Sequence, residues 1–350
     1  MRLLHSAWTY EAASVDSVSI LRADDLQYLW LPLSHVFGKV LLTLPLQIGF
    51  PTAIDGRVDK IVDNLAVVRP TFMGAAPRIF EKAHARIVAL GHGEGGIKAR
   101  IFDWAFGVGI KVVRARQAGD RPSAVLMAQY AVADRLVFRK IRERFGGRLR
   151  FFISGSAALN RDVAEWFDAA GVLILEGYGM TESSAATFVN RPSEYLFGTV
   201  GHPLPGTEFR IAEDGEVLVK GPGVMAGYHN QDQATSEALD ADGWLRTGDI
   251  GEVAPNGALR ITDRKKDMFK TSNGKYVAPS AIDATFKGIS PYVSQLVIDG
   301  EGRSYCVALI ALDADAVRAW ANENGMGGAR SARSRDPTSS GPPCKPTSTG

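Results

Sequence analysis

The amino-acid sequence predicts an α/β fold, in which a large α/β domain with an antiparallel β region is followed by a small α+β C-terminal domain. Three observations carry this expectation. A strand–helix–strand run with short links occupies Arg150 to Leu175, and hairpin signatures follow at Asp214-Gly215 and Asn256-Gly257. Helix and strand patterns then resume after the basic turn Arg264-Lys265-Lys266-Asp267.

The opening reads as a helix, followed by the apolar segment Leu29-Trp30-Leu31-Pro32-Leu33, which suits a buried strand. From Ile79 to Phe145, alanines, basic residues and aliphatics recur at helical spacing, interrupted at Gly91 to Gly96, so two or more long helices are expected. Arg150 to Ile153 forms a short strand ending at Ser154-Gly155-Ser156. Asn160 can cap a helix that carries Val163, Trp166 and Phe167 on one face, and Val172 to Leu175 is the next strand. This order argues for a parallel sheet with sites at its strand ends. The predicted hairpins pair 209–211 with 217–219 and 251–253 with 259–261. The small unit holds a helix from Pro279 to Phe286, strands near 296–298 and 305–312, and a helix from Asp313 to Glu323. The preferred division is 1–262, 263–325 and a tail, 326–350. From Gly327 that tail has no Val, Ile, Leu or aromatic residue to offset ordering entropy, so it is expected to be disordered. Its abrupt start suggests a frame change or an altered terminus.

Composition narrows the function. Apolar content of 45% supports a sizeable core, and a formal net charge of +2, with lysines and arginines scattered rather than striped, gives no nucleic-acid footprint. Cys306 and Cys344 form neither a metal motif nor a disulfide framework, which fits a cytoplasmic protein. The longest apolar stretch, Val40 to Phe50, contains Pro45 and Gln47 and is too short to span a bilayer. Peripheral membrane association stays open.

Several segments carry chemistry. Gly91 to Gly96 satisfies G-x-G-x-x-G but follows a helical stretch instead of a strand, so a helix-to-helix loop is favoured. Glu176-Gly177-Tyr178-Gly179-Met180-Thr181-Glu182 leaves an apolar strand and opens onto an aromatic ring, a hydroxyl and a carboxylate. Tyr178 can stack on a base, Thr181 can donate to a phosphate oxygen, and Glu182 can hold a hard cation such as Mg²⁺. A capped polar turn is an equal reading of these residues. Trp244 to Asp249 places a carboxylate after a tight turn, where an ordinary turn aspartate is the plainer reading. Asp263 to Asp267 alone reads as a solvated charge run and Phe269 to Lys275 as a loop. His35, in an apolar setting, reads as a packed, hydrogen-bonded residue.

In order, these segments resemble the motifs of the adenylate-forming superfamily. Ser154 to Leu159 looks like its S-G-G-A-x-L loop, Tyr178 to Glu182 its Y-G-x-T-E, Gly201 to Gly206 its G-x-P-x-P-G, Gly221 to Tyr228 its G-P-x-v-m-x-G-Y, Trp244 to Asp249 its G-W-x-x-T-G-D, and Asp263 to Asp267 its D-R-x-K-D. Leu31 to Phe37 and Pro77 to Lys82 resemble the long-chain fatty acyl-CoA synthetase branch. The resemblance implies a two-step ligase. A fatty carboxylate attacks the α-phosphate of ATP, giving acyl-AMP and pyrophosphate, and the CoA thiol then displaces AMP. It implies that Gly155, Ser156, Glu176, Gly177 and Tyr178 line the adenine pocket, and that Thr181 contacts phosphate while Glu182 holds Mg²⁺. Asp249 and Arg264 would bind the ribose, Asp263 would be a hinge, Gly274 would face the CoA thiol, and His35 and Phe37 would border the acyl pocket.

Two departures accompany the resemblance. Nothing from Met1 to Trp30 resembles the family's Ser/Thr/Gly-rich phosphate loop, and Cys344-Lys345-Pro346-Thr347 is not its adenylation-lysine motif. Both the large and the small domain are therefore expected to be partial. The alternative to a ligase is a non-catalytic fragment that binds nucleotide or a partner without adenylating.

Overall fold

The computed structural model describes residues 1–93, 95–290 and 292–324. The expected tail, 326–350, lies outside the described residues. The order begins α1 (His5–Ser17), β1 (Gln27–Leu29), α2 (Val36–Ile48), β2 (Thr52–Ile54), α3 (Ile61–Val68) and β3 (Phe72–Ala75). A helical layer follows: α4 (Pro77–His92), α5 (Gly96–Gln117), α6 (Ala124–Ala133), a π turn (Asp134–Phe138) and α7 (Arg139–Arg144). Then come β4 (Phe151–Ser154), α8 (Arg161–Ala169), β5 (Ile174–Tyr178), β6 (Phe188–Val189) and β7 (His202–Pro203).

These strands form one seven-stranded sheet in the order β2-β1-β3-β4-β5-β6-β7, parallel through β5 and antiparallel beyond it. Neighbouring residues on each strand bury on opposite faces. Tyr28, Met73, Phe152 and Ile174 enter one cluster, while Leu29, Phe72, Phe151 and Leu175 enter the other. The first cluster is roofed by Phe80 of α4, Phe106 of α5 and Trp166 and Phe167 of α8. Phe106 and Trp166 stack with centroids 4.1 Å apart. The second is covered by Ala12 of α1 and Val40, Leu41 and Leu44 of α2. Asn160 caps α8 as expected, accepting from the Asp162 and Val163 amides at 2.8 and 3.2 Å.

A second, four-stranded antiparallel sheet follows, in the order β11-β10-β9-β8, from β8 (Glu208–Ile211), β9 (Glu216–Lys220), β10 (Leu245–Val253) and β11 (Leu259–Arg264), with α9 (Asp232–Ala238) between β9 and β10. Both expected hairpins are present, turned at Gly215 and Gly257. One expectation changes. β10 starts at Leu245, so Asp249 lies within a strand and not after a tight turn. β11 continues through Arg264, with Asp263 opposite Ile250.

The last part holds β12 (Phe269–Lys270) and β13 (Tyr276–Val277), a hairpin where the sequence suggested a plain loop. It also holds α10 (Pro279–Ile289), β14 (Val293–Asp299), β15 (Val307–Leu312) and α11 (Ala314–Glu323).

One buried network ties the sheet to the segment before it. Asp25 accepts from the Thr71 hydroxyl at 2.6 Å and pairs with Arg150. Thr71 accepts the Leu26 amide at 2.8 Å, and Arg150 also donates to the Ile20 carbonyl at 3.1 Å. Asp25 is 1% exposed, whereas the Arg150 side chain is 29% exposed and keeps the Ile20 carbonyl, so removing Asp25 chiefly costs the Thr71 and Arg150 hydrogen bonds and leaves a buried gap. Asp25→Ala is expected to lower unfolding stability by about 1–3 kcal/mol in urea titrations, beyond the range of an ordinary surface substitution.

Candidate functional site

The site forms where β4 and β5 end together. Ser154 is in register with Glu176, and the chain leaves these strands as Gly155-Ser156 and Gly177-Tyr178-Gly179. Behind this edge lies an apolar cleft that opens to solvent, with room of about 100 Å³ for the centres of water-sized molecules. Phe37, Leu41 and Leu44 of α2 form one wall, Ile20 and Leu21 another, and Gly155, Ser156, Tyr178 and Gly179 sit at its polar edge. A side chain on Gly155 would put its Cβ 3.3 Å from the Phe37 ring, a close approach that the ring would have to yield to.

After Tyr178 the chain turns sharply. Thr181–Ser183 is a single 3₁₀ turn. Its Ser183 hydroxyl accepts the Met180 amide at 3.1 Å, and the turn is left through Ser184 (φ 61°) and Ala185 (φ 102°). Positive φ at two consecutive non-glycine residues is costly backbone that tertiary contacts must hold. The Ala185 carbonyl folds back onto Gly179, where a Cβ would lie only 1.5 Å from it. The turn leaves Thr181 exposed and Glu182 half-buried, with the Tyr228 hydroxyl donating to Glu182 Oε1 at 2.9 Å.

The second sheet supplies the facing carboxylate. The β9–β10 ladder breaks between Arg246 and Ile250. In its place the Thr247 hydroxyl donates to the Val217 carbonyl at 2.7 Å and the Gly248 amide to Glu216 at 2.9 Å. This irregularity carries Asp249 to Tyr178, whose hydroxyl donates to Asp249 Oδ2 at 2.6 Å. Arg264, opposite Asp249 across β10–β11, reaches Oδ1 at 3.2 Å. Burial raises the Asp249 carboxyl above the usual carboxylate range against the opposing pull of Tyr178 and Arg264. Burial, then the adjacent Asp249, raises the Tyr178 phenol well above its usual value. The pair favours a protonated Tyr178 as donor and an Asp249 whose oxygens keep lone pairs for further donors.

The structure thus joins Gly155, Ser156, Gly177 and Tyr178 at one edge and couples Tyr178 to Asp249 and Arg264. Glu176 stands just behind that edge. It is buried, and its Oε2 accepts the Leu159 amide at 3.2 Å. Phe37 lines the cleft. His35 does not: it is exposed at the start of α2, makes no side-chain cap and is absent from the cleft lining, which corrects its reading as a packed residue bordering a pocket. Asp263 is buried beside the cluster, its Oδ1 accepting the Arg264 amide at 2.6 Å. Gly274 lies in the turn between β12 and β13, where its amide donates to the Thr271 carbonyl at 2.9 Å.

Three residues escaped sequence reasoning. Tyr228 lay inside a motif block, but its partner Glu182 is 46 positions away. Lys265 is no loose charge: its ammonium contacts Asp214 at 2.6 Å and buried Glu216 at 2.9 Å, pinning the end of β11 to the β8–β9 hairpin. Glu11 on α1 is fully buried, and burial raises it well above the usual carboxylate range against the opposing pull of the Ala186 amide. No local pattern marked it, because which face of α1 turns inward is set by the fold that buries Ala7, Glu11 and Ala12 together.

Among the described residues, no set of three or more His, Cys, Asp and Glu side chains is placed to hold a metal ion. Mg²⁺ needs no such set, because it commonly takes one or two carboxylates together with substrate phosphates and water. Glu182, oriented by Tyr228, fits that arrangement.

The profile of the family described as AMP-binding enzyme matches residues 2–229. A protein of Mycobacterium tuberculosis named as a fatty-acid–CoA ligase, FadD11, is 37% identical over 341 residues, covering 96% of this chain and 60% of its own length. The long-chain-fatty-acid–CoA ligase FadD15 of Mycobacterium bovis is 36% identical over 306 residues, covering 87% of this chain and 50% of its own. The chain therefore spans a half to three-fifths of these relatives' lengths. The solved structure of O-succinylbenzoate coenzyme A synthetase from Bacillus subtilis, in complex with ATP and magnesium ion, superposes with a TM-score of 0.63 at 20% identity, covering 92% of this chain and 59% of that one. That likeness concerns the fold.

Burial pushes the Glu176 carboxyl up to about 7. Between the ordinary glutamate value and that point the folded state binds more protons than the unfolded state, so stability falls as pH rises through this window. The loss amounts to about 3 kcal/mol, complete above the folded pKa. Glu176→Gln is expected to flatten this slope in urea titrations between pH 5 and about 8.

Proposed function

Because this chain belongs to the AMP-binding enzyme family, we propose that it forms the nucleotide- and acyl-binding body of a long-chain fatty acid–CoA ligase that makes acyl-CoA from fatty acid, ATP and CoA through acyl-AMP. The observation that carries the reading is the position of an apolar cleft directly behind the Tyr178–Asp249–Arg264 edge. A molecule with a long apolar arm and a nucleotide head would place its arm between Phe37, Leu41 and Leu44 and its head at that edge. The names of the relatives agree with this substrate class.

In the first step the fatty carboxylate oxygen bonds to the α-phosphorus of ATP and pyrophosphate leaves. In the second the CoA sulfur bonds to the acyl carbonyl and AMP leaves. Tyr178 offers a ring face to the base, and Asp249 accepts from ribose hydroxyls through lone pairs not used by Tyr178 and Arg264. Thr181 would donate to a phosphate oxygen, and Glu182 would hold Mg²⁺, whose charge would offset that gathering on the phosphates. Asp263 serves as the hinge between a large part, 1–262, and a small part, 263–325. Gly274 approaches the thiol when the small part turns.

The test is equilibrium binding of non-hydrolysable acyl-AMP analogues of increasing chain length. Affinity is expected to rise with chain length. Asp249→Ala should weaken every analogue by about tenfold or more, and Leu44→Arg should abolish the gain from longer chains while leaving AMP binding intact. Affinity independent of both chain length and Asp249 would refute the reading. Fatty-acid-dependent ATP–pyrophosphate exchange, abolished by Glu182→Ala, separates an adenylating chain from one that only binds.

A further inference from the structure

We propose that Glu11 of α1 is a positioning residue for the turn Thr181–Ser183, bracing from within the protein the backbone that presents Thr181 and Glu182 to phosphate and Mg²⁺. The inference rests on the ligase reading of that turn. Glu11 is 0% exposed and does not line the apolar cleft, so it acts through the turn and not on a substrate.

The turn needs such a brace. The chain leaves it through Ser184 and Ala185, both at positive φ and neither of them glycine. Helix α1 packs a polar face nearby. Tyr10, Glu11 and Ser14 share one side of the helix. The Tyr10 hydroxyl lies 3.0 Å from the Pro205 carbonyl and 2.8 Å from the Thr207 hydroxyl, and the Ser14 hydroxyl donates to the same Pro205 carbonyl at 2.9 Å. These bonds fix α1 against 205–207. Between them, Glu11 enters a pocket of about the size of one water, whose wall also includes Ser183, Thr187, Thr207, Gly221 and Gly223.

A Cβ built on Gly223 would stand 2.9 Å from Glu11 Oε1 and 3.1 Å from the Ser183 carbonyl oxygen. The two oxygens therefore face one spot, where a carboxylate would repel the carbonyl and a neutral acid would donate to it. Burial favours the neutral acid, and no Lys, Arg or His among the described residues pairs with Glu11. Lys220, on the same wall, carries its ammonium to the Trp244 ring, 5.9 Å from the centroid, and the Glu182 carboxylate is met by the Tyr228 hydroxyl. Glu11 thus spans the strained exit. It accepts from the Ala186 amide, just after the positive-φ pair, and donates to the Ser183 carbonyl, just before it. Two further bonds hold the same turn: the Thr187 hydroxyl donates to the Ser183 hydroxyl at 2.7 Å, and the Met225 amide to the Glu182 carbonyl at 2.7 Å. An apolar side chain at position 11 would be cheaper to bury but would leave the exit unbridged.

The test is equilibrium binding of three ligands to the whole chain: adenosine, ATP with EDTA, and ATP with Mg²⁺. Mg²⁺ is expected to tighten ATP binding to the wild type. Glu11→Ala should weaken Mg²⁺–ATP by about tenfold or more, the usual loss when a residue orienting a metal ligand is removed, and leave adenosine affinity as it was. Glu11→Gln, which keeps an acceptor for Ala186 and a donor for Ser183, should restore Mg²⁺–ATP binding. Glu11→Leu fills the space without hydrogen bonds and carries the same expectation as Ala, should the cavity left by Ala unfold the chain. Equal losses for adenosine and Mg²⁺–ATP would make Glu11 merely structural and overturn the proposal. So would no loss for either ligand, or a Gln variant as weak as Ala or Leu. ATP binding to the wild type that Mg²⁺ does not tighten would overturn the ligase reading of the turn and this proposal with it, whereas Mg²⁺-dependent binding insensitive to position 11 would overturn this proposal alone.

Discussion

The seven-stranded sheet is covered on both faces, and this constrains every polar group near it. Adjacent residues such as Phe151 and Phe152 or Ile174 and Leu175 feed opposite cores, so the central strands have no wet side. Chemistry can appear only where the strands end. The carboxyl ends of β4 and β5, aligned through Ser154 and Glu176, are such a place. The cleft, the tight turn after Tyr178 and the facing second sheet all follow from that edge.

Electrostatics at the edge are governed by burial before pairing. Asp249 and Glu176 are both held above the ordinary carboxylate range, in each case chiefly by desolvation. Arg264 lies on the exposed side of Asp249 and Tyr178 on the inner side. A carboxylate fixed this way needs little reorganisation when donors arrive, which favours recognition of neighbouring hydroxyls.

Much of this was legible in the sequence, and what was not has physical causes. Asn160 capped its helix because capping is local chemistry, and Asp214-Gly215 and Asn256-Gly257 turned because glycine accepts positive φ. The alliance of Tyr178 with Asp249 spans 71 positions and depends on a ladder irregularity at Thr247-Gly248, which no local pattern encodes. His35 misled for a related reason. Its apolar neighbours suggested a buried setting, but the segment before α2 is exposed through Leu33 and His35, and only Val36 and Phe37 turn to the cleft. The π turn was invisible because it adds one residue to a period that otherwise reads as ordinary helix. The hairpin of β12 and β13 is only two residues per strand, below the length at which alternation can be read.

The fold of the turn after Tyr178 bears on how this surface can diversify. With the Ala185 carbonyl seated against Gly179, every single-residue replacement at that position must first break the turn. Drift therefore cannot tune the loop bearing Thr181 and Glu182 in small steps through its own glycine. Changes in the shape of the cleft have to enter through its apolar wall instead, at residues such as Leu41 and Leu44, where a change of one methylene alters the lining without unseating the turn. The architecture separates a frozen turn from a wall on α2 whose side-chain volumes set the form of the cleft.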